Sequence, residues 1–180
     1  MSAALYYLIH STFAAGAMFL IVDLIVQRRG NAGDLLQPSP TFSQMSLIGG
    51  GFFVAAIAMT GMPPLSGFIA KLLILDSARH ADVAVWIWAL VLTGSLLSII
   101  GFARAGSLLF WKSTAIGEPP KGGRRHSDSL PFVAAALLFA VLLLLTALAG
   151  PISHYLEQTA SQLFAPQNYI DAILTTDGSR

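Results

Sequence analysis

The chain contains no cysteine, and this absence excludes disulfide bonds, thiolate metal sites and cysteine nucleophiles. Charged residues are also scarce, at 11% of the chain, whereas a typical soluble domain has about 25%. Hydrophobic residues make up 55% of the 180 residues, and the mean hydropathy is +0.70. This composition excludes an ordinary soluble domain and predicts an all-α membrane protein.

Sequence signals for enzymatic or nucleic-acid chemistry are missing as well. The histidines lie on different segments and lack metal-ligand spacing such as HExxH, and no serine lies in a nucleophile elbow. The basic residues around Arg124 lie on one short loop, which predicts a cytoplasmic flank of the membrane. We therefore expect no enzymatic activity, no cofactor, no bound metal and no nucleic-acid partner.

Four apolar stretches are long enough to cross a bilayer, at residues 3–26, 45–76, 83–111 and 130–150. The following residues 151–180 have apolar side chains at helical spacing until Pro166, and a second short apolar piece lies at 169–174. This pattern predicts an amphipathic helix that lies in the membrane interface or docks on a partner. The predicted division is a transmembrane domain at 1–150 and an extracytoplasmic tail at 151–180.

The second apolar stretch is too long for one straight helix, since about 1.5 Å per residue takes it well beyond a hydrocarbon layer of roughly 30 Å. Pro63 and Pro64 remove two backbone donors and clash with the preceding turn, while Gly61 and Gly67 tolerate unusual dihedral angles. We predict a discontinuous helix, broken at residues 61–66. Such breaks survive in a membrane where protein or a wet cavity surrounds them, and they recur at ion sites.

Lys71 is an uncompensated cation in the same stretch, two turns beyond Pro64 and on the face of Gly67. A lysine within a membrane span costs about 2.5 to 3.5 kcal/mol on insertion scales, and such residues usually mark a proton or ion path. In the alternative interpretation, the lysine stem extends to the membrane surface, where Asp76 is little more than a turn away. The coincidence of a break and a cation in one segment favours the functional interpretation.

His10 lies in the first span, with Ala14 and Ala17 on its helical face. Small residues let a neighbouring helix approach closely, so we expect this face to pack against protein. A histidine there could exchange protons near neutral pH. Alternatively, a neighbouring hydroxyl or carbonyl satisfies it, or it lies at the interface beside Tyr6 and Tyr7, and the sequence leaves these alternatives open.

Other polar and small residues in the spans are weaker candidates for a role. Gly94, Ser98 and Gly101 form a small-residue stripe in the third span, which predicts close helix packing there. Hydroxyl groups near His10 and the break are candidates for ordering water, at Ser11, Thr12, Thr60 and Ser66.

The distribution of basic residues predicts the orientation. Arg28 and Arg29 follow the first span, and the loop after the third span contains Lys112, Lys121, Arg124 and Arg125. The opposite side has only Arg79 and Arg180. By the positive-inside rule, both basic loops are cytoplasmic and both termini lie on the outer side.

Two strings in the chain resemble a known family: LYYLIHSTFAAGAMFLIVDLI at residues 5–25 and GMPPLSGFIAKLLIL at residues 61–75. They are similar to the antiporter-like membrane subunits shared by Mrp-type multisubunit sodium/proton antiporters and respiratory complex I, and to the D-type subunits of the Mrp antiporters in particular. The string PPLSGFIAKLL is specific, the tail contains YIDAIL at residues 169–174, and the resemblance covers essentially the whole chain.

The resemblance implies a position within a larger machine. Members of the family have fourteen helices in two inverted five-helix repeats, with charged residues at half depth in the membrane. By resemblance, this chain corresponds to helices eleven to fourteen, the C-terminal portion of such a subunit. His10 then matches the family's relay histidine, and Lys71 matches the twelfth-helix lysine or glutamate that links the relay to the outer side. The implied partners are the first ten helices, the other antiporter subunits and the lipid of a bacterial inner membrane.

Three functional hypotheses follow. In the first, the chain is part of a monovalent cation/proton antiporter, where Lys71 alternates between charged and neutral forms and His10 passes protons with bound water. In the second, it belongs to a proton-pumping subunit of NADH-quinone oxidoreductase or a related hydrogenase. In the third, it is a non-transporting assembly or scaffold protein, in which both side chains are dispensable. The coupling ion stays open between sodium, potassium and protons alone.

Overall fold

The computed structural model describes residues 1–29, 33–114 and 129–164, and in these ranges the regular structure is helical, without a strand. The helices are α1 (Ser2–Arg28), α2 (Met45–Thr60), α3 (Ser66–Ser77), α4 (Ala84–Gly106), α5 (Leu130–Ala147) and α6 (Ala149–Phe164). α4 continues through a π-helical turn at Ser107–Trp111 and a last turn at Lys112–Thr114.

Among the described residues, three helices are long and apolar enough to cross a membrane: α1, α4 with its π-helical extension, and α5. The second predicted span is divided between α2 and α3, which have 16 and 12 residues. At about 1.5 Å per residue, neither half reaches across a hydrocarbon layer of roughly 30 Å. The prediction of an all-α membrane protein with four spans, the second broken at its prolines, and a C-terminal amphipathic helix is confirmed.

The break begins where α2 ends in a residue of left-handed conformation, Gly61, with φ of 70°. Glycine adopts this conformation without the steric cost that a Cβ atom brings. The Gly61 N–H bonds the Ala58 carbonyl at 3.2 Å, and the Met62 N–H bonds the Ile57 carbonyl at 3.1 Å. The two prolines follow, and α3 starts at Ser66, with Leu65 as its N-cap.

α1 is the central helix of the bundle and packs against α2, α3, α5 and α6. Ala14 and Ala17 are completely buried on the face of His10, so neighbouring helices approach closely there. The prediction that this face packs against protein is confirmed. The buried residues on this face of α1 recur every three or four positions, at Ala3, Tyr6, His10, Ala14, Ala17, Ile21 and Leu24.

An aromatic cluster joins α2 to α4. The ring centroid of Phe52 lies 6.1 Å from that of Phe102 and 5.5 Å from that of Phe110, with tilted or edge-on geometry. Aromatic rings prefer such arrangements to a face-to-face sandwich. Ile21 and Leu24 of α1 belong to the same buried cluster, so it holds three helices together.

The outward face of α4 differs from the prediction. Gly94, Ser98 and Gly101 are exposed, and a Cβ atom added to either glycine would meet nothing within 4 Å. The prediction of close packing on this stripe is therefore not met within the described residues. The inward row of α4 is half-buried instead and consists of Ile87, Val91, Ser95, Ile99 and Phe102. A cleft of about 70 Å³ separates α2 from α4 beside Thr60 and Ile99.

α6 packs against the bundle with one face. Leu156 is buried against Tyr6 of α1 and Ala70 of α3, while Tyr155 and Leu163 are exposed. Tail residues after 164, with Pro166 and the piece at 169–174, lie outside the described residues. The domain division at residue 150 and the extracytoplasmic position of the tail stay predictions.

The described part of the loop between α1 and α2, from residue 33 onward, surrounds one guanidinium group. Arg29 is buried, and its side chain donates hydrogen bonds to the carbonyls of Gly33 and Leu35 at 3.0 and 2.7 Å. It also donates to the Ser39 hydroxyl at 3.2 Å and to the Gln37 carbonyl. The second basic loop predicted after α4 lies outside the described residues, apart from its first positions.

Replacement of Phe52 by alanine should destabilise the chain by about 3 to 5 kcal/mol, because it leaves a cavity in the aromatic cluster. Phe19→Ala is the matched control, since Phe19 is 76% exposed and Phe52 is 3% exposed. The measurement is equilibrium unfolding of the purified chain in mixed micelles with increasing SDS. Equal losses in the two variants would contradict the packing described here.

Candidate functional site

The candidate site surrounds the C-terminal end of α2. The last carbonyls of a helix lack partners within that helix and carry the negative end of the helix dipole. Two ionisable side chains from other helices reach this end: His10 from α1 and Lys71 from α3. The structure thus brings the two principal candidates of the sequence to one helix turn, at Ala58 and Thr60.

Lys71 extends back over the break. Its Nζ atom donates to the Thr60 carbonyl at 2.6 Å and to the Ser95 hydroxyl of α4 at 2.7 Å. The lysine stem passes directly over Gly61, where an added Cβ atom would lie only 2.7 Å from Cδ of Lys71. The positive φ of Gly61 favours glycine, and a Cβ atom at this position would also displace the end of the flexible Lys71 side chain.

The structure contradicts the interpretation in which the Lys71 stem extends toward Asp76. The Asp76 carboxylate pairs with Arg79 at 3.1 Å, while the ammonium group lies at the end of α2. A cation at a helix C-terminus is stabilised by about 0.3 to 1 kcal/mol when exposed and by up to about 2 kcal/mol when partly buried. The free carbonyl of Thr60 thus gives the half-buried ammonium group a direct acceptor.

His10 is 2% exposed and uses both ring nitrogens. Nε2 lies 3.2 Å from the Ala58 carbonyl and therefore carries a proton, because a carbonyl only accepts. Nδ1 lies 2.8 Å from the Ser66 hydroxyl, which donates to a neutral ring and accepts from a protonated one. In the second case the hydroxyl proton faces the Leu142 carbonyl of α5, at 3.4 Å. The sequence alternative of a histidine satisfied by a neighbouring hydroxyl or carbonyl agrees with these partners, and the structure has one of each.

Gly67 makes this arrangement sterically feasible. A Cβ atom at Gly67 would lie 2.5 Å from the Ala58 carbonyl oxygen and 2.7 Å from Nε2 of His10. The prediction grouped Gly67 with the break residues Gly61, Pro63 and Pro64. It lies instead within the first turn of α3, where its lack of a side chain allows α3 to touch α2.

The four hydroxyl candidates divide into two pairs. Ser66 contacts His10 through its hydroxyl. Thr60 enters the site through its carbonyl, which accepts from Lys71, while its hydroxyl donates to the Ala56 carbonyl of α2 at 2.8 Å. Ser11 and Thr12 donate to the Leu8 carbonyl of their own helix, on a more exposed side of α1. The structure therefore brings only the first pair into the site, and water ordering stays a prediction.

Ser95 is a site residue that the sequence interpretation missed. Ser95 lies four residues from both Val91 and Ile99, and the structure is needed to show that this row of α4 faces inward. The carbonyl partners of His10 and Ser66, at Ala58 and Leu142, have no signal in the side-chain pattern. Within the described ranges, no three His, Asp or Glu side chains cluster so that they could hold a metal ion.

Gly67→Ala should destabilise the chain by about 1 to 3 kcal/mol, because the added methyl group overlaps the Ala58 carbonyl and His10. Gly101→Ala is the control at another helical glycine with open space, and it should be neutral or stabilising by up to about 1 kcal/mol. SDS-induced unfolding of the purified chain in mixed micelles measures both. If the alanine at position 67 proves as harmless as the one at 101, the close contact is absent.

Comparisons with known proteins give the context of this site. A family model described as "NADH:quinone oxidoreductase/Mrp antiporter, TM" matches residues 1–100, which include both His10 and Lys71. The chain is 34% identical to the Na(+)/H(+) antiporter D subunit of Bacillus subtilis, over 95% of this chain and 34% of that protein. No solved structure matches the chain significantly.

Two further relatives show the range of the family. A probable K(+)/H(+) antiporter D subunit of Rhizobium meliloti is 26% identical over 97% of this chain and 36% of its own length. The NADH-quinone oxidoreductase N subunit of Chlorobium chlorochromatii is 30% identical over 88% of this chain and 31% of its own length. The chain thus spans about a third of the length of these relatives.

The family model covers more than half of the chain and includes the broken helix. The resemblance to the D-type subunits of the Mrp antiporters, first seen in PPLSGFIAKLL, is confirmed. The chain therefore belongs to the NADH:quinone oxidoreductase/Mrp antiporter transmembrane family and is a multi-pass membrane protein.

Proposed function

We propose that the chain contributes part of a proton path to a monovalent cation/proton antiporter, with Lys71 and His10 as the groups that exchange protons. One observation carries the proposal: both side chains bind the last turn of the interrupted helix α2, at Thr60 and Ala58. Ionisable residues within membrane spans are costly, and they usually lie on proton or ion paths.

The two side chains have partners that suit a change of charge. A neutral Lys71 keeps an N–H for the Thr60 carbonyl and gains a lone pair. A protonated His10 donates from Nδ1 to Ser66, whose hydroxyl then turns to the Leu142 carbonyl. Bound water would carry the proton between the two sites. The remainder of the path would lie in the first ten helices that the family resemblance implies and in the other antiporter subunits.

Loss of Lys71 should abolish cation/proton exchange. The assay uses everted membrane vesicles from a host without its own antiporters, in which the chain is expressed with the other subunits of its assembly. Addition of Na⁺ or K⁺ should dissipate the acid gradient with the parent chain and fail to do so with Lys71→Ala. Lys71→Arg should also fail, because an arginine stays charged and cannot release a proton.

Lys112→Ala is the matched control, since Lys112 is an exposed lysine at the end of α4, away from the break. It should leave exchange unchanged. Full exchange by well-expressed Lys71→Ala would refute the proton-path role. If that variant also co-purifies with the other subunits, the assembly or scaffold hypothesis takes its place.

A second candidate function is that of a proton-pumping subunit of an NADH-quinone oxidoreductase, and the similarity to the N subunit of that enzyme favours it. The two functions differ in the energy source. The oxidoreductase hypothesis predicts co-purification with a flavin and iron–sulfur arm, and proton uptake into vesicles on addition of NADH. The antiporter hypothesis predicts exchange that depends on a cation gradient and does not respond to NADH.

The proposed location is a bacterial inner membrane with both termini on the outer side, as the charge bias predicts. Because the chain has no cysteine, one introduced cysteine is a unique label site. Asp34→Cys, in the α1–α2 loop, should resist a membrane-impermeant maleimide in intact cells and react in everted vesicles. His80→Cys, between α3 and α4, should behave in the opposite way. The reverse pattern would invert the proposed orientation.

A further inference from the structure

Ser95 is the polar member of the inward row of α4. Its neighbours on that row are apolar, at Ile87, Val91, Ile99 and Phe102. The Ser95 hydroxyl lies 2.7 Å from Nζ of Lys71 and donates to the Val91 carbonyl at 2.8 Å. An ammonium group only donates, so the serine oxygen is an acceptor for Lys71.

The same hydroxyl also suits a neutral lysine. A neutral amine has a lone pair, and the Ser95 hydroxyl can rotate its proton from the Val91 carbonyl toward it. The amine still donates to the Thr60 carbonyl. Both forms of Lys71 are therefore bonded at the same two heavy atoms, without movement of a helix.

The contact also connects two helices that have few other polar links. Between α3 and α4 the structure records two such bonds in the described residues: Lys71 to Ser95, and the Trp88 indole to the Leu75 carbonyl at 3.2 Å. The position of the ammonium group thus depends on α4 as well as on the end of α2.

We infer that Ser95 is a positioning residue that holds Lys71 between the end of α2 and α4 in both its charged and its neutral form. The transport consequence rests on the proposed function of Lys71, while the contact itself does not.

Ser98 offers a matched control one turn further along α4. Its hydroxyl makes the same kind of bond to its own helix, to the Gly94 carbonyl at 2.8 Å, but the side chain is exposed. Ser98→Ala therefore reproduces the loss of an intrahelical hydroxyl bond without the loss of a Lys71 partner.

The first experiment measures exchange against pH in everted vesicles that contain the complete assembly. Ser95→Ala should move the pH profile of exchange toward lower pH by about one pH unit. Without the Ser95 hydroxyl, the charged lysine loses more stabilisation than the neutral one, because a charge-assisted hydrogen bond is about twice as strong as a neutral one. The lysine therefore releases its proton at a lower pH. Ser95→Thr keeps a hydroxyl and should retain the parent profile, as should Ser98→Ala. Ser95→Ala with the profile of Ser98→Ala, or Ser95→Thr with the profile of Ser95→Ala, would overturn the inference.

The second experiment needs no transport and uses the purified chain in detergent. Ser95→Ala should lower the midpoint of thermal unfolding in the parent chain and have a smaller effect in a Lys71→Met background. The reason is that the effects of substitutions at two residues in contact are not additive. Ser98→Ala should have the same effect in both backgrounds. Equal effects of Ser95→Ala in the two backgrounds would refute the contact. If Lys71→Ala alone retains full exchange, the proposed function fails, and the unfolding cycle still decides the inference.

Discussion

The hydrogen bond from the Lys71 ammonium group to the Thr60 carbonyl is the interaction on which the architecture of the site depends. It exists because the helix stops at residue 60 and leaves a carbonyl without an intrahelical partner. In hydrocarbon an unsatisfied carbonyl and an unpaired ammonium group are each unfavourable, and here each satisfies the other. The tandem prolines and the left-handed glycine end the helix and leave its last carbonyl free, and the lysine binds that carbonyl.

The second ionisable group reaches the same helix end by a different route. α1 is buried on most of the bundle-facing side, and its alanines let α2 and α3 approach. His10 bonds to the Ala58 carbonyl because Gly67 of α3 leaves room for it. Two neighbouring helices therefore contact one helix end, and the apolar packing of α1 determines the distance of the histidine from it.

The sequence was sufficient to predict the break, because the effect of proline on a helix is local. It was also sufficient to identify the two ionisable side chains, because polar groups are rare in this chain. It was not sufficient for Ser95. Ser95 and Ser98 lie three positions apart on a helix that is apolar on all sides, so no hydrophobic stripe indicates which of them faces inward. The same ambiguity explains why the prediction of a packed face at Gly94 and Gly101 failed, since both glycines face open space in the structure. Ser11 and Thr12 have local carbonyl partners, a choice that composition cannot predict.

The two halves of α4 are attached to the bundle by different forces. The C-terminal half is fixed by interlocking rings, and loss of one such buried ring costs about 3 to 5 kcal/mol. The N-terminal half has two hydrogen bonds to α3, each with a net value of about 0.5 to 1.5 kcal/mol, or about 1.5 to 3 kcal/mol where a charge takes part. A lateral force on α4 would therefore separate it first at its Trp88 end and pivot it about the aromatic cluster, with the lysine contact among the first to open.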